Sequence, residues 1–332
     1  MKQNLLFRAA LVLTVLCLLL SGCTANPEQT GISDTAFLLD TSVTITLYDV
    51  QDQTLLDACF DEIRRLEALL STGSDIQRIN DAAGGAPVSV SSETIRMLED
   101  AARFSALTGG AFDITMGPLT ALWNISGGGT VVPEPEAVAA AKAHVDHRNI
   151  EITGNEVRLA RAGMRIDPGA IAKGYIGERV KALLLENGVQ SALIDLGGNI
   201  LAVGSRTDGR PFRVGLQKPD APSGTVCAVL DAADVSVVTA GDYERYFEQD
   251  GVRYHHILDP ATGEPARSGL SAATIVAADS TAADALSTAV LILGAQKGLA
   301  LVESLDGIEC VLIGQDGTIT VSSGLEGKVQ IK

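Results

Sequence analysis

The chain is poor in aromatic residues, histidine, cysteine and positive charge, and these shortages exclude several classes of function. Its 332 residues include 5 cysteines and 4 histidines without a CxxC or Cys/His cluster, which argues against a zinc site. Lysine and arginine number 25 against 41 acidic residues, for a formal net charge of −16. Such an acidic protein is a poor partner for nucleic acid or an anionic membrane surface. The phosphates of any nucleotide ligand must therefore be bound by local cations, a metal ion or helix N-termini.

Two common nucleotide-binding signatures are also missing. The sequence has no GxGxxG between a strand and a helix, and no GxxxxGK[ST]. The segment Asp195-Leu196-Gly197-Gly198-Asn199 follows an apolar strand pattern, but no helix pattern comes after it, so it predicts a glycine turn. Cys59, Cys227 and Cys310 allow at most one disulfide, and the alternative is that they are small buried apolar side chains.

The N-terminus predicts a bacterial lipoprotein signal over residues 1–22, cleaved before Cys23. Lys2 and Arg8 flank the start of a short apolar run that ends in small residues directly before the cysteine. Lipidation of Cys23 would anchor the protein to the extracytoplasmic face of a bacterial membrane. An ordinary secretory signal is the alternative. Polar residues 23–35 predict a tether, and loss of the two basic residues would move the net charge from −16 to −18.

Helix and strand patterns alternate along the rest of the chain, and much of the strand content lies in hairpins, which favours an α+β fold over a doubly wound parallel sheet. Helices are predicted at 54–70, 91–108, 133–145, 169–187, 282–293 and 295–304, with a short one around Leu122. Strands are predicted within 37–48, 151–159, 191–203, 211–217, 225–240, 243–257, 274–277 and 310–321.

A candidate phosphate site lies at Asp167-Pro168-Gly169-Ala170-Ile171-Ala172-Lys173-Gly174-Tyr175. Asp167 before Pro168 is typical of an ordinary helix start, with the aspartate as N-cap. Lys173 and the surrounding small residues favour a ligand site, because small side chains let a phosphate approach the helix N-terminus. A solvated lysine is the alternative.

A candidate metal site lies at Asp284 and Thr288. The two are four residues apart, so they share one face of the predicted helix. A carboxylate and a hydroxyl, joined by a backbone carbonyl from elsewhere, form the hard oxygen site that Mg²⁺ prefers. The alternative is a capping box, in which Asp284 bonds back to Thr281.

His256 is a candidate general base. It stands in Tyr254-His255-His256-Ile257-Leu258-Asp259-Pro260, just before a predicted turn. A histidine titrates in the range useful for proton transfer, and it could also contact a bound ring. A structural histidine bonded to the turn is the alternative.

The order of these segments resembles the ApbE family, the flavin transferases that move FMN from FAD onto a threonine of a partner protein. The resemblance rests on Leu39-Asp40-Thr41, Ala111-Phe112-Asp113, Asp167 to Tyr175, Asp195 to Asn199, Thr239 to Tyr243, His256 to Pro260 and Asp284 to Thr288. It covers nearly all of the chain after the signal. It implies an ApbE-like domain over residues 36–332, with T-fold-related mixed sheets, packed helices and many hairpins.

The resemblance also implies roles for individual residues. It assigns FAD binding to Leu39, Ala111, Phe112, Asp113, Asp167, Lys173 and Ile257. It assigns Mg²⁺ to the Ala170 carbonyl, Asp284 and Thr288, and catalysis to His256 and Asp284. It implies an acceptor flavoprotein, with a threonine motif, that is a respiratory redox subunit or an extracytoplasmic protein.

Two departures from the family pattern bear on the reaction. Leu39-Asp40 stands where most members have Met-Gly, and the loop of residues 71–75 is shorter than usual and lacks the family's aromatic residue. One branch of the family hydrolyses FAD to FMN and AMP, and the resemblance implies that residues in this loop influence whether transfer or hydrolysis dominates. The expected activity is therefore Mg²⁺-dependent FMN transfer with release of AMP. The alternatives are an FAD pyrophosphatase and a lipid-anchored flavin-binding protein without enzymatic activity.

Overall fold

The computed structural model describes residues 31–70 and 74–332. The predicted signal, the predicted lipidation site Cys23 and residues 71–73 of the short loop lie outside these ranges. The seven described α-helices are α1 Gln53–Leu70, α2 Asp75–Asp81, α3 Ser92–Leu107, α4 Gly117–Trp123, α5 Pro135–Lys142, α6 Ala172–Glu186 and α7 Ser280–Glu303. In the same ranges, 3₁₀ turns occupy His147–Asn149 and Ser323–Leu325.

The strands of the described residues form four antiparallel sheets, which confirms the α+β class. The largest has eight strands in the order β1-β2-β6-β7-β10-β13-β14-β15, and the others are β16-β9-β8, β3-β5-β4 and β11-β12. The strands are β1 Ile32–Leu38, β2 Thr41–Leu47, β3 Val88–Ser89, β4 Ile150–Thr153, β5 Glu156–Leu159, β6 Ser191–Leu196, β7 Ile200–Gly204, β8 Phe212–Gln217, β9 Val226–Ala232, β10 Ser236–Gly241, β11 Tyr246–Gln249, β12 Val252–His255, β13 Leu270–Ala277, β14 Ile308–Gly314, β15 Ile319–Val321 and β16 Val329–Ile331.

The eight-stranded sheet is covered on both faces. One face packs against α1, α3, α6 and α7 in the main core, and the other packs against the sheet of β8, β9 and β16. Neighbouring residues of β13 show the division, since Ile275 belongs to the first core and Val276 to the second. Successive side chains of a strand point to opposite faces, so a strand buried on both sides is mostly apolar.

Helix α7 is the central helix of this core. By length and composition it could cross a membrane, with a mean hydropathy of 1.6, but it packs against β13, β10 and α6. It is apolar around much of its circumference because it is buried there. At Gly294 the backbone leaves the helical region, with φ 79° and ψ 173°, a conformation essentially restricted to glycine. This interruption matches the two helices predicted from the sequence.

Several predicted boundaries were wrong. Residues 37–48 form not one strand but the end of β1, a two-residue turn and β2, and β1 begins at Ile32, inside the predicted tether. Residues 191–203 likewise form a hairpin. Helix α6 begins at Ala172 instead of residue 169, and its N-cap position is occupied by Ile171. Asp167 is therefore not the helix cap.

Candidate active site

A cleft of about 950 Å³ opens where the N-terminus of α6 meets α7, the turns after β1 and β6, and the segment after β12. Its volume suits a cofactor-sized ligand. All the described residues that the sequence nominated line this cleft: Leu39, Ala111, Phe112, Asp113, Asp167, Ala170, Lys173, His256, Ile257, Asp284 and Thr288. Their placement together is a finding, whereas their individual roles stay predictions.

Close packing of α6 on α7 places Asp284 at the cleft. A Cβ at Gly174 would collide with the Ser280 carbonyl oxygen and would lie 2.7 Å from the Asp284 Cβ, so only glycine permits this approach. The Gly174 N–H donates to Asp284 Oδ2 at 2.8 Å instead of bonding within its own helix. Asn199 lies in the turn between β6 and β7, and its side-chain amide donates to Asp284 Oδ1 at 3.1 Å.

The N-terminus of α6 presents free backbone groups to the same cleft. No side chain caps the helix at Ile171. Within the described part of the chain, the Lys173 N–H has no hydrogen-bond acceptor and the Ala170 carbonyl has no donor. A free N–H at a helix N-terminus can donate a hydrogen bond to a phosphate, and a free carbonyl oxygen can coordinate a cation. Asp167 lies just before this segment, where its Oδ1 accepts the Gly169 N–H at 2.9 Å.

Asp284 is 5% exposed as a residue, and burial raises the pKa of its carboxylate. The positive charge of Lys173 and the hydrogen bonds from Gly174 and Asn199 lower the pKa, but they offset the burial only in part. A divalent cation beside the carboxylate would favour its ionised form. Asp284 is therefore suited to binding a metal ion, and it is not the capping residue of α7, because Asp279 caps that helix.

The donor set fits Mg²⁺. Asp284, Thr288 one helical turn later and the free Ala170 carbonyl all line the cleft and offer oxygen atoms. Within residues 31–70 and 74–332, no three His, Cys, Asp or Glu side chains cluster into a metal site. A site with one carboxylate is compatible with Mg²⁺, which commonly takes one or two carboxylates and completes its shell with water and substrate phosphates.

His256 is fixed beside the cleft by the backbone of Arg245. The Arg245 carbonyl accepts the His256 N–H at 3.0 Å and lies 3.2 Å from its Nδ1. Because a carbonyl can only accept, Nδ1 carries the hydrogen and Nε2 keeps a free lone pair. Burial, opposed by the bond to the Arg245 carbonyl but reinforced by nearby positive charge, lowers the pKa of His256 to about 4. The imidazole is thus neutral at pH 7.

The loop Ala111–Asp113 lines the cleft, but the Asp113 carboxylate bonds to neighbouring protein segments. Its Oδ1 accepts the Thr115 N–H at 2.8 Å and the Thr115 hydroxyl at 2.6 Å. Its Oδ2 lies 3.0 Å from both the backbone nitrogen and Nδ1 of His147. The aspartate therefore shapes the loop, while Phe112 and Ile257 contribute buried apolar surface beside it.

Asn199, Glu67 and Arg245 are among the cleft residues with structural partners that were not nominated from the sequence. Asn199 ends the predicted glycine turn, so its position carried a weak signal. Glu67 lies on an amphipathic helix among many other charges, and Arg245 lies in a stretch of strand pattern. Neither differs in the sequence from an ordinary solvated side chain.

The fold and the cleft together define an α+β protein with an uncapped helix N-terminus beside a buried carboxylate, an arrangement suited to a phosphate-bearing ligand. The model of the ApbE family matches residues 39–312, and the chain belongs to that family. A relative from Treponema pallidum (strain Nichols), named FAD:protein FMN transferase, is 34% identical, with 100% of this chain and 98% of that protein covered. A relative of the same name from Klebsiella pneumoniae (strain 342) is 37% identical, with 88% and 92% covered.

Solved structures agree with this assignment. The ApbE protein from Thermotoga maritima superposes with a TM-score of 0.83 at 32% identity, covering 90% of this chain and 99% of that one. The flavinyl transferase ApbE from Pseudomonas stutzeri, in its apo form, has a TM-score of 0.80 at 30% identity, with 90% and 96% covered. The family resemblance seen in the sequence is confirmed over most of the chain.

Proposed function

We propose that the protein binds FAD in the cleft and transfers its FMN moiety, with Mg²⁺, to a threonine of an acceptor protein, releasing AMP. The relatives named FAD:protein FMN transferase support the reaction class. The observation that carries the proposal is the buried Asp284 carboxylate beside the uncapped N-terminus of α6 and Lys173. This arrangement offers, within one cleft, a ligand for a cation and hydrogen-bond donors for phosphate groups.

The reaction breaks the phosphoanhydride bond of FAD and forms a phosphoester bond to the acceptor threonine. The threonine hydroxyl oxygen attacks the phosphorus nearest riboflavin, the new P–O bond forms, and the bond from that phosphorus to the oxygen shared with AMP breaks. Nε2 of His256 takes the hydroxyl proton, and Lys173 and the α6 N-terminus stabilise the negative charge on the phosphates. Mg²⁺ held by Asp284, Thr288 and the Ala170 carbonyl would supply further charge neutralisation.

The location of the protein is part of the same proposal. The N-terminal pattern supports lipidation at Cys23 and attachment to the extracytoplasmic face of a bacterial membrane. An enzyme tethered there would meet acceptors that are membrane redox subunits or extracytoplasmic flavoproteins. Metabolic labelling with a radioactive fatty acid tests the anchor, because Cys23→Ser should lose the label that the wild-type protein carries.

The activity is tested by incubating the purified protein with FAD and Mg²⁺, with and without an acceptor bearing a threonine flavinylation motif. AMP release together with covalent flavin fluorescence on the acceptor is the expected result. AMP without any labelled protein, at the same rate in both tubes, would instead identify an FAD pyrophosphatase. FAD binding without AMP release would contradict enzymatic activity.

A further inference from the structure

The turn between β1 and β2 has an unusual backbone for its sequence. Leu39 and Asp40 form a two-residue hairpin turn with φ values of 55° and 56°. Two successive positive φ angles are typical of the turns that favour Asn-Gly, because most side chains are strained there. Both residues and the following Thr41 line the cleft. The fold therefore maintains a strained turn at the edge of the candidate active site.

Glu67 on α1 is bonded to this turn. Its Oε1 accepts the Leu39 N–H at 2.8 Å, from 28 residues further along the chain. Glu67 is half-buried, lines the cleft, and forms no ion pair within the described ranges. Its carboxylate is thus available to the backbone, and a hydrogen bond to an ionised acceptor is stronger than one to a neutral group.

The same turn packs against the wall that carries Asp284. A Cβ at Gly197 would collide with the Thr41 side chain, so the turn after β6 lies directly against the turn after β1. Two residues beyond Gly197, Asn199 bonds to Asp284. Contacts therefore run from Glu67 through the Leu39–Asp40 turn to the polar end of the cleft. A displaced turn would alter the shape of the cleft, which Leu39, Asp40 and Thr41 all line.

We infer that Glu67 is a positioning residue for the flavin substrate: it holds the Leu39–Asp40 turn in the conformation that shapes one wall of the cleft. The inference rests on the proposed function, since its consequence concerns FAD. Glu67 is not among the groups proposed to bind the reacting phosphates. It acts through its hydrogen bond to the backbone N–H of Leu39. Its loss should therefore weaken FAD binding and leave the chemical step nearly intact.

The test compares Glu67→Ala and Glu67→Gln with Glu62→Ala. Glutamine retains an oxygen acceptor for the Leu39 N–H, and Glu62 is a control from the same helix that pairs with Arg65 outside the cleft. We expect Glu67→Ala to raise the KM for FAD at least about fivefold, with kcat changed by less than about twofold. Glu67→Gln should retain most of the affinity, and Glu62→Ala should match the wild type.

Amide hydrogen exchange in the protein without ligand decides the structural step independently of FAD. Exchange in a peptide containing Leu39 should accelerate in Glu67→Ala but not in Glu67→Gln, at an unchanged melting temperature. Unchanged exchange in Glu67→Ala would overturn the inference, and so would accelerated exchange with an unchanged KM. A wild-type protein that fails to bind FAD would contradict the proposed function instead, while the exchange result would still decide whether Glu67 holds the turn.

Discussion

At Asp284 the fold keeps a carboxylate where its charge is costly. Burial raises its pKa, and the groups that favour the ionised form are one lysine, one backbone N–H and one amide. A buried ionisable group with partial compensation is typical of a functional site, because purely structural positions are usually neutral or fully paired. The neighbouring N–H of Lys173 and carbonyl of Ala170 are likewise polar groups without full compensation, since neither has a hydrogen-bond partner among the described residues. All three are available to a ligand.

His256 gives a prediction about pH. Its pKa is lowered to about 4, so the proton is lost as pH rises through that value. At pH 5 roughly nine-tenths of the free enzyme already carries the neutral base. The kcat/KM for FAD should therefore show no limb near the ordinary histidine pKa of about 6.5. A limb near pH 6.5 that disappears in His256→Gln would contradict this account.

At the scale of elements, the crossing of α6 and α7 gives the second prediction. Gly174→Ala should lower the free energy of unfolding by about 1–3 kcal/mol, since the new methyl group meets the backbone of Ser280 and the Asp284 Cβ. It should also abolish AMP release, because it displaces Asp284. The steric cost to the free energy of unfolding is opposed by the gain of about 1 kcal/mol in helix propensity that alanine brings relative to glycine.

Gly177→Ala on the same helix is the matched control. Its added Cβ would meet only side-chain methyl groups, the nearest being Leu201 Cδ2 at 2.9 Å, and these can shift. Urea denaturation and AMP release of both variants check the prediction. Equal stability and equal activity of the two variants would show that the close approach at Gly174 does not position Asp284.

The same elements show which local structures the sequence could predict. The helices at Gln53–Leu70 and Ser92–Leu107 follow from apolar periodicity, and the predicted interruption of α7 coincides with Gly294. The Leu39–Asp40 turn was missed because neither residue carries the glycine or asparagine signal of such turns. The start of α6 was misplaced because Asp167-Pro168 has the pattern of a helix start, whereas the helix begins at Ala172.

At the scale of the whole molecule, the site depended on contacts that local patterns do not encode. The family resemblance brought Asp167, Lys173, His256 and Asp284 into one prediction, and the fold places them in one cleft. The supporting groups came only from the structure, because their partners are distant in sequence. Asn199 reaches Asp284 across 85 residues, and Glu67 reaches Leu39 across 28.

Asp75 gives a prediction about the stability of the whole chain in acid. It is the first residue of α2 and is buried against the start of α3, where it accepts the Ser91 N–H at 2.7 Å and the Thr94 hydroxyl at 2.8 Å, and it pairs with Arg78. Burial alone would raise the pKa of Asp75, but these hydrogen bonds outweigh it and the pKa is lowered. The folded protein therefore favours the ionised form more than the unfolded chain does.

This contribution to stability is present above the unfolded pKa of about 3.9 and is lost as the pH falls through the lower folded value. Asp75→Asn should destabilise the protein by about 1–3 kcal/mol at pH 7 and by less in acid. Urea denaturation of both proteins at pH 7 and pH 3.5 measures the difference. A difference that grows on acidification would contradict the assigned hydrogen bonds.

The most direct measurement is AMP release from FAD as a function of Mg²⁺ concentration in wild type and Asp284→Ala. The exposed Asp208, which pairs with Arg210, supplies the control Asp208→Ala. We expect Mg²⁺-dependent AMP release from the wild type and the control, and none from a folded Asp284→Ala. Full turnover by Asp284→Ala, with Mg²⁺ still required, would show that the metal is bound elsewhere and would contradict the assigned site.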